Sequence, residues 1–307
     1  MIDPRESAAL YDAVHDGTPG DVEHYLRLAR GASSVLELGC GSGRVLVPLA
    51  AAGLDATGIE LDAGMIEAAR ARAASENVRV TLIEEDMASF QLDVQGGSPD
   101  GDRGARRGPA VVRDDEAMQS IVEEARAADG PRPARETRQD LRRAHLDARA
   151  RYDRVIVPFS GLYCLLTPER LASCLRAARA HLAPGGLFAF DAYVADEFHE
   201  ETRPEDYPDD LLEPVAEIEH AGETLRVLEK SRWDRERQRV DATYVYVAAD
   251  GSVRHVYTIG HRYLLRPEVE PTLARAGLSL VSLHGDFAGG PYDPSGGSLV
   301  VVARAAP

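Results

Sequence analysis

Lysine is almost missing from this chain: Lys230 is the only one, and arginine supplies the rest of the 35 basic residues. We read that as codon usage in a GC-rich genome rather than as chemistry. Positive charge is short altogether, with 35 bases against 51 acids and a formal net charge of −16. A protein that neutralises phosphates needs the opposite balance, so nucleic acids and anionic membrane surfaces are poor partners. Cysteine is scarce too. Cys40, Cys164 and Cys174 are too few and too widely spaced for a disulfide framework or a close-paired zinc site. A reducing cytoplasm is the expected compartment. No apolar run approaches the roughly 18 residues that cross a bilayer. The start of the chain holds Asp3, Pro4, Arg5 and Glu6 and lacks the apolar stretch of a signal peptide. What is present is 307 residues, 44% of them hydrophobic. That suffices for one large domain, or for a core with an elaborated cap.

Short apolar runs alternate with helix-forming stretches. Ser33 to Leu38, Leu54 to Ile59, Val78 to Ile83, Tyr152 to Val157 and Leu187 to Phe190 read as strands. Arg44 to Ala52, Asp62 to Ser75 and Pro168 to Leu182 read as the helices, with Asp62 and Thr167 at N-cap positions. This rhythm predicts parallel pairing through right-handed crossovers, hence an open α/β sheet covered on both faces. Past Asp191 the rhythm changes. Leu225 to Trp233, Val240 to Ala248 and Val253 to Leu265 are polar-alternating, with Asp250-Gly251 as a hairpin turn, and predict a small antiparallel cap. Pro267 to Ala276 then reads as a helix, with Leu278 to His284 and Ser298 to Ala303 as closing strands. Between the third and fourth strands stands an insertion of about 55 residues, too long for a structureless loop. Gln95 to Pro109 reads as a loop; Val112 to Ala128 and Ala134 to Ala150 read as charged helices. The expected organisation is 1–94 for lid helices and the first half of the core, 95–150 for the insertion, 151–192 for the second half, 193–265 for the cap and 266–307 for the closing part.

The first strand ends in Glu37-Leu38-Gly39-Cys40-Gly41-Ser42-Gly43. Glycines here let the backbone turn tightly and approach a ligand, at the strand ends where open α/β sheets bind. A dinucleotide site wants Gly-x-Gly-x-x-Gly. Counted from Gly39 the third position is Arg44, and from Gly41 it is Leu46, so both registers fail. Glu60 ends the second strand, where a carboxylate can accept from both hydroxyls of a ribose. Asp86 follows the third strand.

These motifs, in this order, resemble the class I S-adenosylmethionine (SAM)-dependent methyltransferases. The small-molecule members nearest in pattern are the amino-sugar N,N-dimethyltransferases and the glycine/sarcosine N-methyltransferases. The resemblance implies a Rossmann-like seven-stranded sheet with an antiparallel β cap; it does not cover the helical insertion, which completes the expected fold. It also implies SAM as cofactor, with S-adenosylhomocysteine as product. Glu37, Gly39, Cys40, Gly41, Gly43 and Arg44 would surround the methionine moiety, with Glu37 facing its amino group. Glu60 and Leu61 would meet the ribose, Met65 the nucleoside, and Asp86 and Met87 the adenine. Pro158 and Phe159 end a motif IV strand beside the methyl group, and Tyr11 and Tyr25 belong to N-terminal helices that close over the cofactor. Relatives often carry a histidine beyond motif IV; here that position is Cys164, which we expect to be inert packing.

The resemblance implies methyl transfer to nitrogen or oxygen of a small polar metabolite, in natural-product biosynthesis. A SAM-binding protein that does not methylate is the alternative. A hydroxyl acceptor gains from a base, for which Tyr11, Tyr163 and His261 are the candidates, with Tyr193 nearby. Alternation sets His255, Tyr257, Ile259, His261 and Tyr263 on one cap face. Asp191, Asp196 and Glu197 make a weak cation set, and no metal is expected. A homodimer is left open.

Overall fold

The computed structural model describes residues 3–92, 150–203, 205, 208 and 211–307. The chain divides into two units, Met1–Leu92 with Arg151–Pro307, and Asp93–Ala150. The helical insertion expected over 95–150 falls, but for its last residue, outside the described residues.

Two helices lead, α1 (Pro4–Asp12) and α2 (Asp21–Leu28). The core then follows the predicted rhythm: β1 (Ser34–Leu38), α3 (Leu46–Ala51), β2 (Asp55–Glu60), α4 (Ala63–Ser75), β3 (Thr81–Glu84), β4 (Tyr152–Val157), α5 (Pro168–Ala180) and β5 (Leu182–Ala192). A short helix α6 (Asp196–Glu201) leads to the cap strands β6 (Glu213–His220), β7 (Glu223–Asp234), β8 (Arg239–Ala248) and β9 (Val253–Arg262). Helix α7 (Arg266–Arg275) and strands β10 (Leu278–His284) and β11 (Leu299–Ala305) close the core.

The main sheet has seven strands in the order β10-β11-β5-β4-β1-β2-β3. The last five are parallel, and β11 runs antiparallel to both its neighbours. β1 leads outward to β2 and β3, whereas the chain returns on its other side for β4 and β5. The order therefore reverses between β1 and β4, the switch point at which such sheets open a crevice. Local chemistry fixes the helix starts as expected: the Asp62 carboxylate accepts from Met65 N at 2.9 Å and the Thr167 hydroxyl from Arg170 N at 3.3 Å.

The cap is a separate four-stranded antiparallel sheet, β6-β7-β8-β9. β6 is one strand more than the sequence suggested. In its sequence EPVAEIEH three of eight residues are glutamate, most are exposed and only Ile218 is buried, so it carries little hydrophobic signal. α1 ties the cap down. Leu10 is buried in a cluster with Ile218, Leu225, Val227, Tyr246 and Ala248, and the Tyr246 hydroxyl donates to Leu10 O at 2.9 Å. Burying a leucine stabilises by about 2 kcal/mol. The other side of α1 is fixed to the core. Asp12 accepts from Ser42 Oγ and from Arg72, both at 2.9 Å.

Candidate active site

The turn after β1 is built on glycines that sit where other residues are strained. Gly39, Gly41 and Gly43 have φ of +68°, +51° and +78°. Gly39 N and Cys40 N both donate to Ile59 O, at 2.8 and 3.0 Å, which pins the turn to the end of β2. Glu60 completes it. One carboxylate oxygen accepts from Gly41 N at 2.9 Å, the other from Leu61 N and Asp62 N at 2.8 and 3.0 Å. The oxygen that accepts from Gly41 N still has a lone-pair direction for an outside donor.

Glu37, in the last turn of β1, is 3% exposed. Its Oε2 has no hydrogen-bond partner. Burial pushes its pKa well up; Arg44 opposes that, and the charges of Glu60, Asp191 and Asp21 add to it. A buried acceptor of this kind costs free energy unless something arrives to fill it.

Arg44 cannot be the visitor's anion site, because it is already taken. It forks onto Asp21 of α2 at 3.0 and 2.6 Å, and its guanidinium lies 5.3 Å from the centre of the Phe159 ring. Asp191, at the end of β5, braces the turn that follows β4. Both its oxygens accept from Phe159 N at 3.0 Å, one also accepts from the Tyr25 hydroxyl at 2.6 Å, and its carbonyl accepts from Ser160 N at 3.0 Å. The brace is needed because Phe159 and Ser160 are consecutive left-handed residues, φ +52° and +58°, with no glycine among them. Such residues cost of order 1–3 kcal/mol each. Burial raises the Asp191 pKa to about 6 against its hydrogen bonds from Tyr25 and Phe159.

A cavity of about 790 Å³ runs from the glycine turn to the cap. Its cofactor-side wall holds Tyr11, Glu37, Gly39, Cys40, Gly41 and Arg44, with Glu60, Leu61 and Met65 beyond them. Asp86, Met87, Pro158 and Phe159 complete that wall. The far wall is the cap face, and register explains its shape. Glu229, Tyr244 and Tyr257 stand in one cross-strand row, Ser231, Ala242 and Ile259 in the next, and Val240 opposite His261 in a third. Small residues in the middle row leave a trough between larger neighbours. The expected alternation of β9 holds here, with Tyr257, Ile259 and His261 all on the cavity.

Three predicted site residues are not on it. Tyr163 is fully buried, and its hydroxyl donates to Tyr193 O and Leu264 O at 3.2 and 3.3 Å. It packs the short 3-10 turn Gly161–Cys164 against the cap and is no candidate base. Tyr25 is buried as the Asp191 partner. Gly43 serves packing: a Cβ there would meet Val47 and Ala69 at 3.1 and 3.2 Å, so it lets α3 and α4 close. Conversely, Cys164, expected to be inert packing, is on the cavity. Its side chain lines the cavity, and burial with the nearby Glu60 charge raises its thiol to about 11. Asp86 keeps its place but not its freedom, since Arg170 pairs with it at 3.0 Å. Asp196, weighed as a cation ligand, accepts instead from Arg266 N and from the Tyr292 hydroxyl at 2.6 Å. His15, Glu229 and Tyr244 line the cavity unforeseen.

Comparison with known proteins agrees with this geometry. Residues 35–100 match a family model described as a methyltransferase domain. A curated putative methyltransferase from Geobacillus sp. (strain WCH70) is 31% identical over 83 residues, 27% of this chain. The match spans 33% of that relative's length. Among solved structures, the CcbJ methyltransferase from Streptomyces caelestis superposes over 100% of both chains with a TM-score of 0.69 at 24% identity. The sugar N-methyltransferase KedS8 from Streptoalloteichus sp. ATCC 53650 covers 97% of this chain and 92% of its own, with a TM-score of 0.57 at 20% identity. The fold is the Rossmann-like methyltransferase fold with an added antiparallel cap.

Proposed function

We propose that this chain, whose residues 35–100 match a methyltransferase domain, is a SAM-dependent methyltransferase acting on nitrogen or oxygen of a small polar metabolite. One observation carries the reading: the buried Glu37 oxygen without a partner, set beside the glycine turn. An ammonium group is the natural complement of a carboxylate so placed. The residues present fit the cofactor. Glu37 would hold its amino group, Glu60 the ribose hydroxyls, Met65 and Met87 the flat faces of the nucleoside, and Tyr11 the lid. When bound, SAM supplies a methyl group made electrophilic by its sulfonium. The chain's own contribution is position and exclusion of water, because the leaving group needs no further activation. Asp191 fixes the Phe159–Ser160 turn, and Arg44 holds α2 against it.

The acceptor's chemistry follows from charge. The lining carries carboxylates at both ends, whereas its cations Arg44 and Arg170 are each ion-paired. An anionic acceptor meets no free Arg or Lys on the lining among the described residues, whereas the carboxylates suit an amine or a neutral hydroxyl compound. Calorimetry with SAM, S-adenosylhomocysteine and NAD tests the cofactor, with low-micromolar affinity, about −8 kcal/mol, expected for the first two. Incubation with SAM and ethanolamine, N-methylethanolamine, glucosamine or catechol, read as a mass gain of one methylene unit, tests the transfer. NAD binding without SAM binding refutes the reading. SAM binding with no transfer, and a lid that blocks the cap side in the complex, favours the non-methylating alternative.

A further inference from the structure

A strand that covers a core buries alternate side chains, and those are ordinarily apolar. On β7 the inward row is Leu225, Val227, Glu229, Ser231 and Trp233. Leu225, Val227 and Trp233 are buried. Glu229 breaks the pattern: a half-buried carboxylate in an apolar row, standing on the cavity. A charge withdrawn from water costs free energy unless it is paired, so its company decides what it is for.

That company is neutral. Ser231 Oγ donates to one carboxylate oxygen at 2.8 Å. The Tyr244 hydroxyl, opposite Glu229 across the sheet, also donates to it. Two hydroxyls fill about half of the lone-pair directions that a carboxylate offers. None of the ion pairs among the described residues includes Glu229. Lys230 and Arg232 flank it in sequence, but alternation sets them on the exposed face. Burial holds His15 below its ordinary pKa and takes His261 down to about 4, so neither brings a positive charge at neutral pH.

The other carboxylates on the lining are spoken for. Asp12 pairs with Arg72 and Asp86 with Arg170. Asp62 caps α4, and Asp191 accepts from Tyr25 and Phe159 N. Glu37 and Glu60 flank the glycine turn, and Glu85 is exposed. Glu229 is the carboxylate of the cap wall, opposite the cofactor side. Rings stand around it: Tyr244 stacks on Tyr257 with centroids 5.1 Å apart, and His15 meets Tyr244 at 4.9 Å. Aromatic faces attract cations and not anions. Beside this row lies the trough over Ser231, Ala242 and Ile259, which has room for the body of a ligand.

We propose that Glu229 is the specificity-determining residue of the acceptor pocket: it binds the ammonium group of a cationic amine, so the site takes the amine in preference to the neutral hydroxyl compound of the same shape. That the amine is the methyl acceptor rests on the methyl-transfer reading; the preference for a cation does not.

The test titrates matched pairs, glucosamine against glucose and ethanolamine against ethylene glycol, by calorimetry at neutral pH, with and without S-adenosylhomocysteine. The wild type should bind each amine about 10- to 100-fold more tightly than its partner, the range of one charge-assisted hydrogen bond. Glu229→Gln should erase that preference, and Glu229→Asp, which keeps the charge, should retain part of it. Raising the pH past the amine's own pKa should erase it in the wild type. One measurement needs no ligand. Glu229 is the foremost of the charges that raise the His15 pKa, ahead of Asp12 and Asp16, so Glu229→Gln should lower that pKa in NMR titration of the free protein. Equal binding within the pairs, a preference that survives in Glu229→Gln, or an unmoved His15 pKa overturns the proposal. A wild type that binds S-adenosylhomocysteine but neither amine overturns it too. A wild type that prefers the amines but binds no S-adenosylhomocysteine refutes the methyl-transfer reading and leaves Glu229 as a cation site.

Discussion

Replacing Glu37 by glutamine separates what this carboxylate does for the fold from what it does for a ligand. In the free protein Glu37 is buried, with one oxygen unpartnered and its pKa well above the ordinary carboxylate value. A folded-state pKa above the unfolded one means that the native state holds its proton more tightly. The group's contribution to stability is then full below the unfolded pKa and is lost as pH rises through the folded one. Glutamine removes that pH-dependent loss, so Glu37→Gln should raise the melting temperature of the free protein at neutral pH. Ligand binding should move the other way. A hydrogen bond between charged groups contributes about 1.5–3 kcal/mol, so the variant should bind SAM and S-adenosylhomocysteine about 10- to 100-fold more weakly. There is a third consequence. An arriving ammonium pulls the Glu37 pKa back down, so the complex holds fewer protons than the free protein. Binding must release up to about one proton from this group. Calorimetry of S-adenosylhomocysteine in two buffers of unlike ionisation enthalpy reads that release directly. It should be present in the wild type, grow as pH approaches the free-state pKa, and shrink in Glu37→Gln. Equal affinities together with equal buffer dependence in the two proteins would refute the placement of the amino group.

Glu60→Ala should weaken S-adenosylhomocysteine by about 10- to 100-fold in calorimetry, since it strands ribose hydroxyls and also frees Gly41 N. Asp191→Asn should lower the unfolding free energy by about 1–3 kcal/mol in urea titration, because Tyr25 and Phe159 N both donate to it and an amide nitrogen must face one of them. Tyr163→Phe should cost about 1–2 kcal/mol of stability, by leaving two carbonyls with one partner fewer, with S-adenosylhomocysteine affinity unchanged. Leu10→Ala should cost about 2–5 kcal/mol and loosen the cap, read as faster amide exchange across β6 and β7.

The core and its cofactor half were legible because each signal there is local. Glu37 and Glu60 end apolar runs, and the glycines between them fail the dinucleotide spacing by position alone. Asp62 and Thr167 cap their helices through contacts three residues away. The acceptor half was not legible, and Tyr163 and Cys164 show why. Which of the two faces the cavity depends on the turn before them, and Phe159 and Ser160 adopt left-handed φ without glycine or asparagine to announce it. The conformation is imposed by Asp191, 32 residues on from Phe159. β6 stayed hidden because its pairing with β7 through backbone bonds needs almost no apolar residue. Glu229 had a signal, since it alternates with the buried Leu225 and Val227. Reading it required knowing which face of the cap meets the core.

The same long-range ties decide how the two halves of the site can work together. α1 touches the glycine turn through Asp12 and Ser42, and it touches the cap through Leu10 with Tyr246 and Ser7 with His255. Tyr11 lies between those contacts, and His15 follows three residues after the helix ends. A ligand that orders the glycine turn therefore also orders the segment that carries Tyr11 and His15. In the other direction, anything that fixes Tyr257 acts on His15, 2.7 Å away and just beyond the helix that Asp12 anchors to the glycine turn. The coupling needs no movement of the sheets. It needs only that α1 be held at both ends, which the ion pair of Asp12 with Arg72 and the buried Leu10 provide. The ion pair is half-exposed and worth less than about 1 kcal/mol, so packing rather than charge restrains α1: Leu10 is buried against the cap, and Pro4 lies against Gly64 of α4. A cap that loosens therefore frees one face of α1 and leaves its packing on the core in place.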